Sequence, residues 1–363
     1  MHAFGNHVLS VQEDQSMSKS FSHREYPSCE FNPVKNRPSF FYDLKKIFNP
    51  PWFQGSRARN NYFEGWYFKS VTGDGSGSLA FIPGISLNGN DSHSFVQAIN
   101  GKTGETWYFR YPVEAFMYSG NGFEVSVGPN YFSENTMILD LHNDADYFKG
   151  SLNFSGLSVY PVSILRPGIM GWYRYAPFME CYHGVVSLDH QVNGCIETGN
   201  GPVTFNGGRG YIEKDWGASM PEAWIWAQTN NFPDPGTSFM MSIANIPWIG
   251  KSFTGFLGFF LHQGRIYGFA TYTGAVVKLI EEKSESVIIQ INASEFSLRI
   301  QAFRGERGKL KAPVSGTMER VIHESIDSKI LVELFDKRGR SVYSGQGLNA
   351  GLETVGELSR LFP

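Results

Sequence analysis

The stretch Arg209-Gly-Tyr-Ile-Glu-Lys-Asp-Trp-Gly217 decides how this chain is read. It follows a glycine-rich turn, Asn206-Gly207-Gly208, and precedes a tryptophan-rich run, Ala223-Trp-Ile-Trp-Ala-Gln228. As an extended strand its side chains alternate with period two. Tyr211, Glu213 and Asp215 then share one face, and Ile212, Lys214 and Trp216 the other. Two carboxyls and a phenol point the same way. If that face lines an aromatic pocket, desolvation can hold one carboxyl protonated near neutral pH, ready to donate to an apolar substrate.

The composition agrees with a strand-built protein. The chain has 363 residues, 18% of them charged and 15% aromatic, with 40 glycines. Average domains carry about a quarter charged residues. Few charges, many aromatics and many glycines suit an all-β fold with tight turns, or an aromatic-lined cavity. The net charge of -3 implies no polyanion partner, and basic residues do not cluster with aromatics, so nucleic acid is excluded as a partner. Cys29, Cys181 and Cys195 are too few and too scattered for a disulfide framework, which points to a reducing, cytoplasmic setting. No run approaches the ~20 apolar residues that span a bilayer, and the start does not read as a secretory signal.

Residues 1–38 read as a polar, unpatterned tail, followed by a short helix from Phe40 to Phe48 that Pro50-Pro51 stops. Strand signals dominate afterwards. Asn61 to Val71 is one strand, and Gly73-Asp-Gly-Ser-Gly77 turns the chain into Leu79 to Ile82. Val185 to His190 and Cys195 to Glu197 read as a hairpin about Val192-Asn193-Gly194. Later strands are expected at Phe239–Ala244, Gly255–Leu261, Ile266–Tyr272, Val276–Ile280, Val287–Ala293, Phe296–Phe303, Lys329–Phe335 and Val342–Ser344. Many short strands with close turns mean a sandwich or closed barrels, and a barrel of about eight strands holds one small ligand. Two barrels account for the length, with the division at Asn200-Gly201, giving domains 39–200 and 201–363.

Several chemistries lack their motif. No G-x-S-x-G elbow and no G-x-G-x-x-G unit is present, and Gly101-Lys102-Thr103 and Gly250-Lys251-Ser252 lack the earlier glycine of a P-loop. Cys181-x-His183 with His190 is the nearest approach to a metal cluster, but its spacing is not that of a structural zinc site, and no metal is expected.

Three segments carry the functional signal. In Asn61-Tyr-Phe-Glu-Gly-Trp-Tyr-Phe-Lys69, Glu64, Trp66 and Phe68 face one way on a strand. The second segment, Arg166 to Leu188, contains Pro177-Phe-Met-Glu-Cys-Tyr-His-Gly-Val-Val-Ser-Leu188. The third is Arg209–Gly217 with Trp224 and Trp226 after it. At these residues the chain resembles the tocopherol cyclase family, from about Asn60 to the C-terminus and most strongly at Asn61–Lys69 and Pro177–Phe232. The resemblance implies two lipocalin-like antiparallel β-barrel domains with few short helices. It also implies an intramolecular cyclisation of a prenylated hydroquinone to a chromanol, with no redox cofactor. The chain departs from plant members in lacking an evident plastid transit peptide and in its ending, Asn349-Ala-Gly-Leu-Glu-Thr-Val-Gly356, and so looks like a bacterial relative.

Such a cyclisation needs a proton delivered to an alkene while a phenol oxygen attacks the developing cation. Asp215 is the expected acid and Glu213 the alternate, with Tyr211 orienting carboxyl or phenol. Glu64, Glu180 and His183 are further acid–base candidates. Trp66, Phe68, Trp216, Trp224 and Trp226 are candidate walls, where aromatic faces stabilise a cation by about 1–2 kcal/mol each. A purely structural reading stands beside this one: Glu213 and Asp215 pair with Arg209 or Lys214, and Glu64 with Lys69. Two other functions share the features, a polyene hydratase using water as nucleophile and a non-catalytic carrier of a hydrophobic ligand. An apolar substrate favours a rim that touches lipid, although no basic amphipathic helix is visible. The sequence does not fix the oligomeric state.

Overall fold

A computed structural model describes residues 31–33, 39–177, 179–248 and 250–361. The expected tail, 1–38, lies outside these apart from Phe31–Pro33, which forms a strand. After it comes a short helix, α1 (Phe40–Lys45), whose first turn is capped by Ser39 Oγ accepting from the Tyr42 amide at 3.2 Å. It tightens into a 3-10 turn over Lys46–Phe48, so the helix ends where Pro50-Pro51 requires.

The rest is β-structure in two antiparallel sheets. The first comprises β1 (Phe31–Pro33), β2 (Tyr62–Val71), β3 (Ser78–Leu87), β4 (His93–Asn100), β5 (Thr106–Pro112), β6 (Phe116–Ser119) and β7 (Glu124–Val127). It continues with β8 (Asn130–Ser133), β9 (Thr136–His142), β10 (Tyr147–Ser158), β11 (Cys181–Thr198), β12 (Gly201–Thr204) and β13 (Gly208–Gly217). The second comprises β14 (Trp224–Thr229), β15 (Ser238–Trp248), β16 (Lys251–His262), β17 (Arg265–Ala270) and β18 (Val276–Glu282). Its remaining strands are β19 (Ser286–Asn292), β20 (Phe296–Phe303), β21 (Gly308–Val314), β22 (Thr317–Asp336) and β23 (Ser341–Val355).

The strand order shows that each sheet curls on itself. The first runs β1-β6-β7-β8-β9-β10-β11-β13-β2-β3-β4-β5. Strands β5 and β6 therefore lie near opposite ends, yet only Val113–Ala115 joins them. Three residues span at most about 10 Å, so the two ends must meet. The second runs β17-β16-β15-β14-β23-β22-β20-β19-β18, and its two edge strands are likewise joined by Thr271–Thr273 and Gly274-Ala275. These are two nearly closed, lipocalin-like barrels.

Three apolar clusters follow. One fills the first barrel, including Trp66, Phe68, Phe132, Phe154 and Ile212. Another fills the second, including Ile225, Phe260, Ile289, Ile300 and Val332. The third lies where the outer faces of the barrels meet, and contains Tyr67, Tyr211, Trp224, Trp226, Met240 and Phe259. Period-two alternation explains this division: in β2, Trp66 and Phe68 point inward while Tyr67 points to the other barrel.

Two sequence expectations need correction. Val192-Asn193-Gly194 is not a turn but part of the single long strand β11. Gly194, at φ +136°, lets β10 approach: a Cβ there would lie 2.2 Å from the Ser151 carbonyl oxygen. The chain also leaves the first sheet later than Asn200-Gly201. That dipeptide lies at the turn between β11 and β12, whereas β13 is hydrogen-bonded between β11 and β2 along its length.

Candidate active site

A cavity of about 200 Å³ opens between the two barrels, enough for part of an organic molecule rather than a lone water. Its walls are mostly apolar, with Phe63, Ile82, Phe95, Met170, Trp224, Trp226, Phe253 and Phe256 among them. Four carboxyls and one imidazole interrupt this lining, those of Glu213, Asp215, Glu324, Glu353 and His183; Lys311 also borders it, its Nζ lying over the Tyr108 ring at 4.2 Å.

Strand β13 behaves as its sequence requires. Tyr211, Glu213 and Asp215 face the second barrel, and Ile212, Lys214 and Trp216 the other way. Both cations offered as structural partners for Glu213 and Asp215 are engaged elsewhere. Arg209 pairs with Asp189, its Nε 2.9 Å from Oδ1. Lys214 pairs with Glu64 on the opposite face of β13. Glu213 and Asp215 are left with His183. The neighbouring strand sets His183 directly opposite Asp215, and its Nδ1 lies 2.8 Å from Asp215 Oδ1. Its Nε2 is 3.4 Å from Glu213 Oε2 without hydrogen-bond geometry. Burial opposes charge on the imidazole, but the carboxylates of Asp215 and Glu213 outweigh it and hold its pKa up at about 10. Tyr211 Oη donates to Glu213 Oε2 at 2.6 Å, and Trp226 Nε1 lies 3.3 Å from the same oxygen.

The remaining acids come from the second barrel. Glu324 on β22 and Glu353 on β23 are directly opposite each other across the strand pair. Tyr67 Oη donates to Glu324 Oε1 at 2.6 Å, and Trp224 Nε1 donates to Glu353 Oε2. Burial pushes both acids up: Glu324 to about 7, with the Glu213 charge adding to the rise, and Glu353, where repulsion from Glu324 adds, well above the ordinary glutamate range. Room for the tryptophans comes from small residues. A Cβ on Gly351 would lie 2.5 Å from the Trp226 ring.

Other candidates lie away from the cavity. Glu64 accepts from the Gln54 and Gly55 amides at 2.9 Å, from Tyr62 Oη and from Lys214. With every lone pair direction occupied it fastens the loop before β2 to the first barrel. Lys69 does not pair with it: its Nζ reaches Gln228 Oε1 at 2.6 Å and the Asn349 carbonyl at 2.7 Å. Trp66 and Trp216 flank Lys214, their ring centres 4.5 and 4.8 Å from its Nζ, and do not line the cavity. Phe68 packs within the first barrel against Phe123, Phe132 and Phe154. Glu180 is exposed, and its backbone carbonyl accepts from Ala218 and Ser219. Of the three residues that come nearest to a metal cluster in the sequence, Cys181 and His183 reach the cavity while His190 turns toward Phe154 in the first barrel. A different trio, His183, Glu213 and Asp215, brings one ligand atom each within 4.8 Å of the others.

Sequence reasoning missed Tyr67, Glu324 and Glu353 at this site. A signal was present for Glu324: on β22 it sits among Met318, Ile322 and Ile326, an acid in the buried set of an alternating strand.

Fold and site together define a two-barrel, lipocalin-like protein with an acid-lined apolar cavity at the barrel junction. The sequence profile of the tocopherol cyclase-like family matches residues 161–356, more than half of the chain, and the protein belongs to that family. A probable chloroplastic tocopherol cyclase of Oryza sativa subsp. japonica is 29% identical over 111 residues, 29% of this chain and 23% of the relative. The chloroplastic tocopherol cyclase of Zea mays is 26% identical over 157 residues, 39% of this chain and 33% of the relative. These matches thus span a third or less of the curated relatives. Among solved structures, that of CghA has a TM-score of 0.51 at 12% identity, covering 81% of this chain and 88% of that one, a likeness of fold.

Proposed function

We propose that the protein is an acid–base catalyst that closes a prenylated hydroquinone, or a closely similar isoprenoid phenol, to a chromanol. The observation that supports this reading is the set of four carboxyls and one imidazole facing an apolar cavity, with Arg209 and Lys214 both paired away from it. If every acid were ionised, the cavity would hold like charges at short range in a medium of low dielectric. Holding a proton there is favourable, and so is passing it on. The electron pair of the alkene takes the proton, the phenol oxygen forms the new C–O bond at the tertiary cation, and the phenol proton leaves to a carboxylate. Atoms balance without an oxidant or reductant. Trp224 and Trp226 face the cavity and supply the cation-stabilising surface.

The cavity's cover suits a lipid substrate. The long connection from β10 to β11 crosses to the second barrel, where Tyr272 Oη donates to the Ile169 carbonyl at 2.6 Å and Tyr173 packs on Phe253. Its inner side brings Met170, Tyr173 and Met179 to the cavity, while Ile164, Leu165 and Trp172 are exposed outside. We place contact with a bilayer surface here, since the same segment covers a cavity made for an apolar chain.

Incubation of the protein with reduced phytyl-hydroquinone, followed by product mass, tests the reading. A new product of unchanged mass is expected. A product heavier by one water favours a hydratase, and ligand returned intact favours a carrier.

A further inference from the structure

The acid-initiated reading leaves open which group delivers the proton. Asp215 is the sequence's choice, but the structure gives its carboxyl an imidazole partner 2.8 Å away. Glu353 and Glu324 are placed differently. They stand opposite each other on neighbouring strands, where Cβ atoms are about 5 Å apart and two like charges repel. Among the described residues neither has a Lys or Arg ion-pair partner. Their donors are an indole and a phenol, Trp224 Nε1 to Glu353 and Tyr67 Oη to Glu324. The nearest ammonium, Lys69, is bound to Gln228 and the Asn349 carbonyl instead. Two neutral donors leave most of the pair's acceptor positions unfilled. A proton shared between the carboxyls fills one and cancels the repulsion.

We propose that Glu353 and Glu324 form a proton-sharing pair and that Glu353 delivers the proton to the alkene, while the Asp215–His183–Glu213 group receives the phenol proton. The geometry separates the two tasks. Glu324 is 1% exposed, whereas Glu353 keeps part of its surface open to the cavity, with Trp226 directly opposite it on β14. An alkene lying over Trp226 is therefore beside the donor and over an aromatic face. Asp215, Glu213 and His183 come from the first barrel, on β13 and β11, and are left for the phenol end. In the step, the Glu353 O–H bond breaks and a C–H bond forms from the alkene π pair. The phenol oxygen then bonds to the cation, and its proton passes to the carboxylates of Asp215 and Glu213. It returns through Glu213 and Glu324 to Glu353, so the cycle ends with no net proton change. The groups facing the pair are Tyr67 and Lys69 from β2 and Glu213 and Asp215 from β13. Burial, followed by repulsion between the two acids, supports a proton held there at neutral pH.

The test joins a substrate-free reading of the proton to turnover. Infrared difference spectra of the full chain and of Glu353→Gln and Glu324→Gln are recorded across neutral pH. A carboxylic-acid carbonyl band in the unsubstituted protein at pH 7, removed by Glu353→Gln, is expected. Glutamine keeps an acceptor for Trp224, so the variant retains its fold. Turnover of phytyl-hydroquinone by Glu353→Gln should fall about 10²- to 10⁴-fold, with Glu353→Asp partly active. Absence of the band at pH 7, or its survival in both variants, overturns the inference even if turnover is normal. Undiminished turnover by Glu353→Gln overturns the delivery role. No turnover by the unsubstituted protein with the band present removes the cyclisation reading, and the delivery step with it, while leaving the proton-sharing pair in place.

Discussion

Replacing Glu324 by glutamine should stabilise the protein at pH 8 and change little at pH 4. The carboxyl is 1% exposed, accepts from Tyr67 and faces Glu353 across the strand pair. Burial pushes its pKa from 4.5 to about 7. The folded state therefore holds a proton that the unfolded state has lost between these values. Where the folded state binds more protons, stability falls as pH rises. The contribution is fully present below about pH 4.5 and is gone above about pH 7. A carboxyl moved this far costs about 3 kcal/mol at pH 8, at about 1.4 kcal/mol for each tenfold change. Glutamine keeps an oxygen for Tyr67, is nearly isosteric and does not titrate. For a chain of this size about 3 kcal/mol corresponds to roughly 4 °C in Tm. His183, held at about 10, also loses stability as pH rises above its ordinary 6.5, but it is common to both proteins and cancels in the difference. Thermal and guanidinium unfolding from pH 4 to pH 8 would show the gap opening between pH 4.5 and 7. Parallel profiles, or a variant less stable at pH 8, would refute the assignment of a buried, proton-holding Glu324.

Further outcomes follow from individual contacts. Lys214→Met removes the cation that faces Glu64 and should cost about 3 kcal/mol, the lower end for a broken buried pair because the Gln54 and Gly55 amides remain as donors; denaturant unfolding measures it. Gly65 lines the cavity, and a Cβ there meets only ordinary contacts, Ile82 Cγ2 at 3.5 Å and the Pro83 carbonyl oxygen at 3.7 Å. Gly65→Ala should therefore be neutral, whereas Gly65→Phe should abolish binding of an apolar fluorescent ligand with little change in Tm. Exchanging Ile164 and Leu165, 77% and 82% exposed, for aspartate should weaken flotation with lipid vesicles without altering activity on detergent-dispersed substrate.

The sequence made some of this legible and hid the rest for physical reasons. Alternation along Arg209–Gly217 placed Tyr211, Glu213 and Asp215 on the cavity side correctly, because both faces of β13 are buried and period two leaves no choice of register. Phe296–Phe303 was found to the residue because Leu298, Ile300 and Ala302 are buried in alternation with polar Ser297, Arg299 and Gln301. Nothing marked β6, β7 and β8, each four residues long and too short to show a period. The Asn193-Gly194 pair carried a hairpin signal, but close pairing with β10 used the glycine instead. Trp66 and Trp216 were expected at a ligand, and their position on the same face as Lys214 gave them to a buried cation. Glu353 lies in a segment where the sequence offered no site candidate, and its partner across the strands is read only from the pairing of β22 with β23. The contact between Tyr67 and Glu324 joins residues 257 apart, which no local pattern reports.

The central claim is that the cavity's acids close a ring. Anaerobic incubation of the protein with reduced phytyl-hydroquinone in detergent, analysed by liquid chromatography and mass spectrometry, tests it most directly. A product of unchanged mass and new retention, lost in Glu353→Gln and in Asp215→Asn while both variants keep their Tm within a few degrees, is the predicted result. Bound substrate recovered unchanged from the unsubstituted protein, or a product heavier by one water, would contradict it.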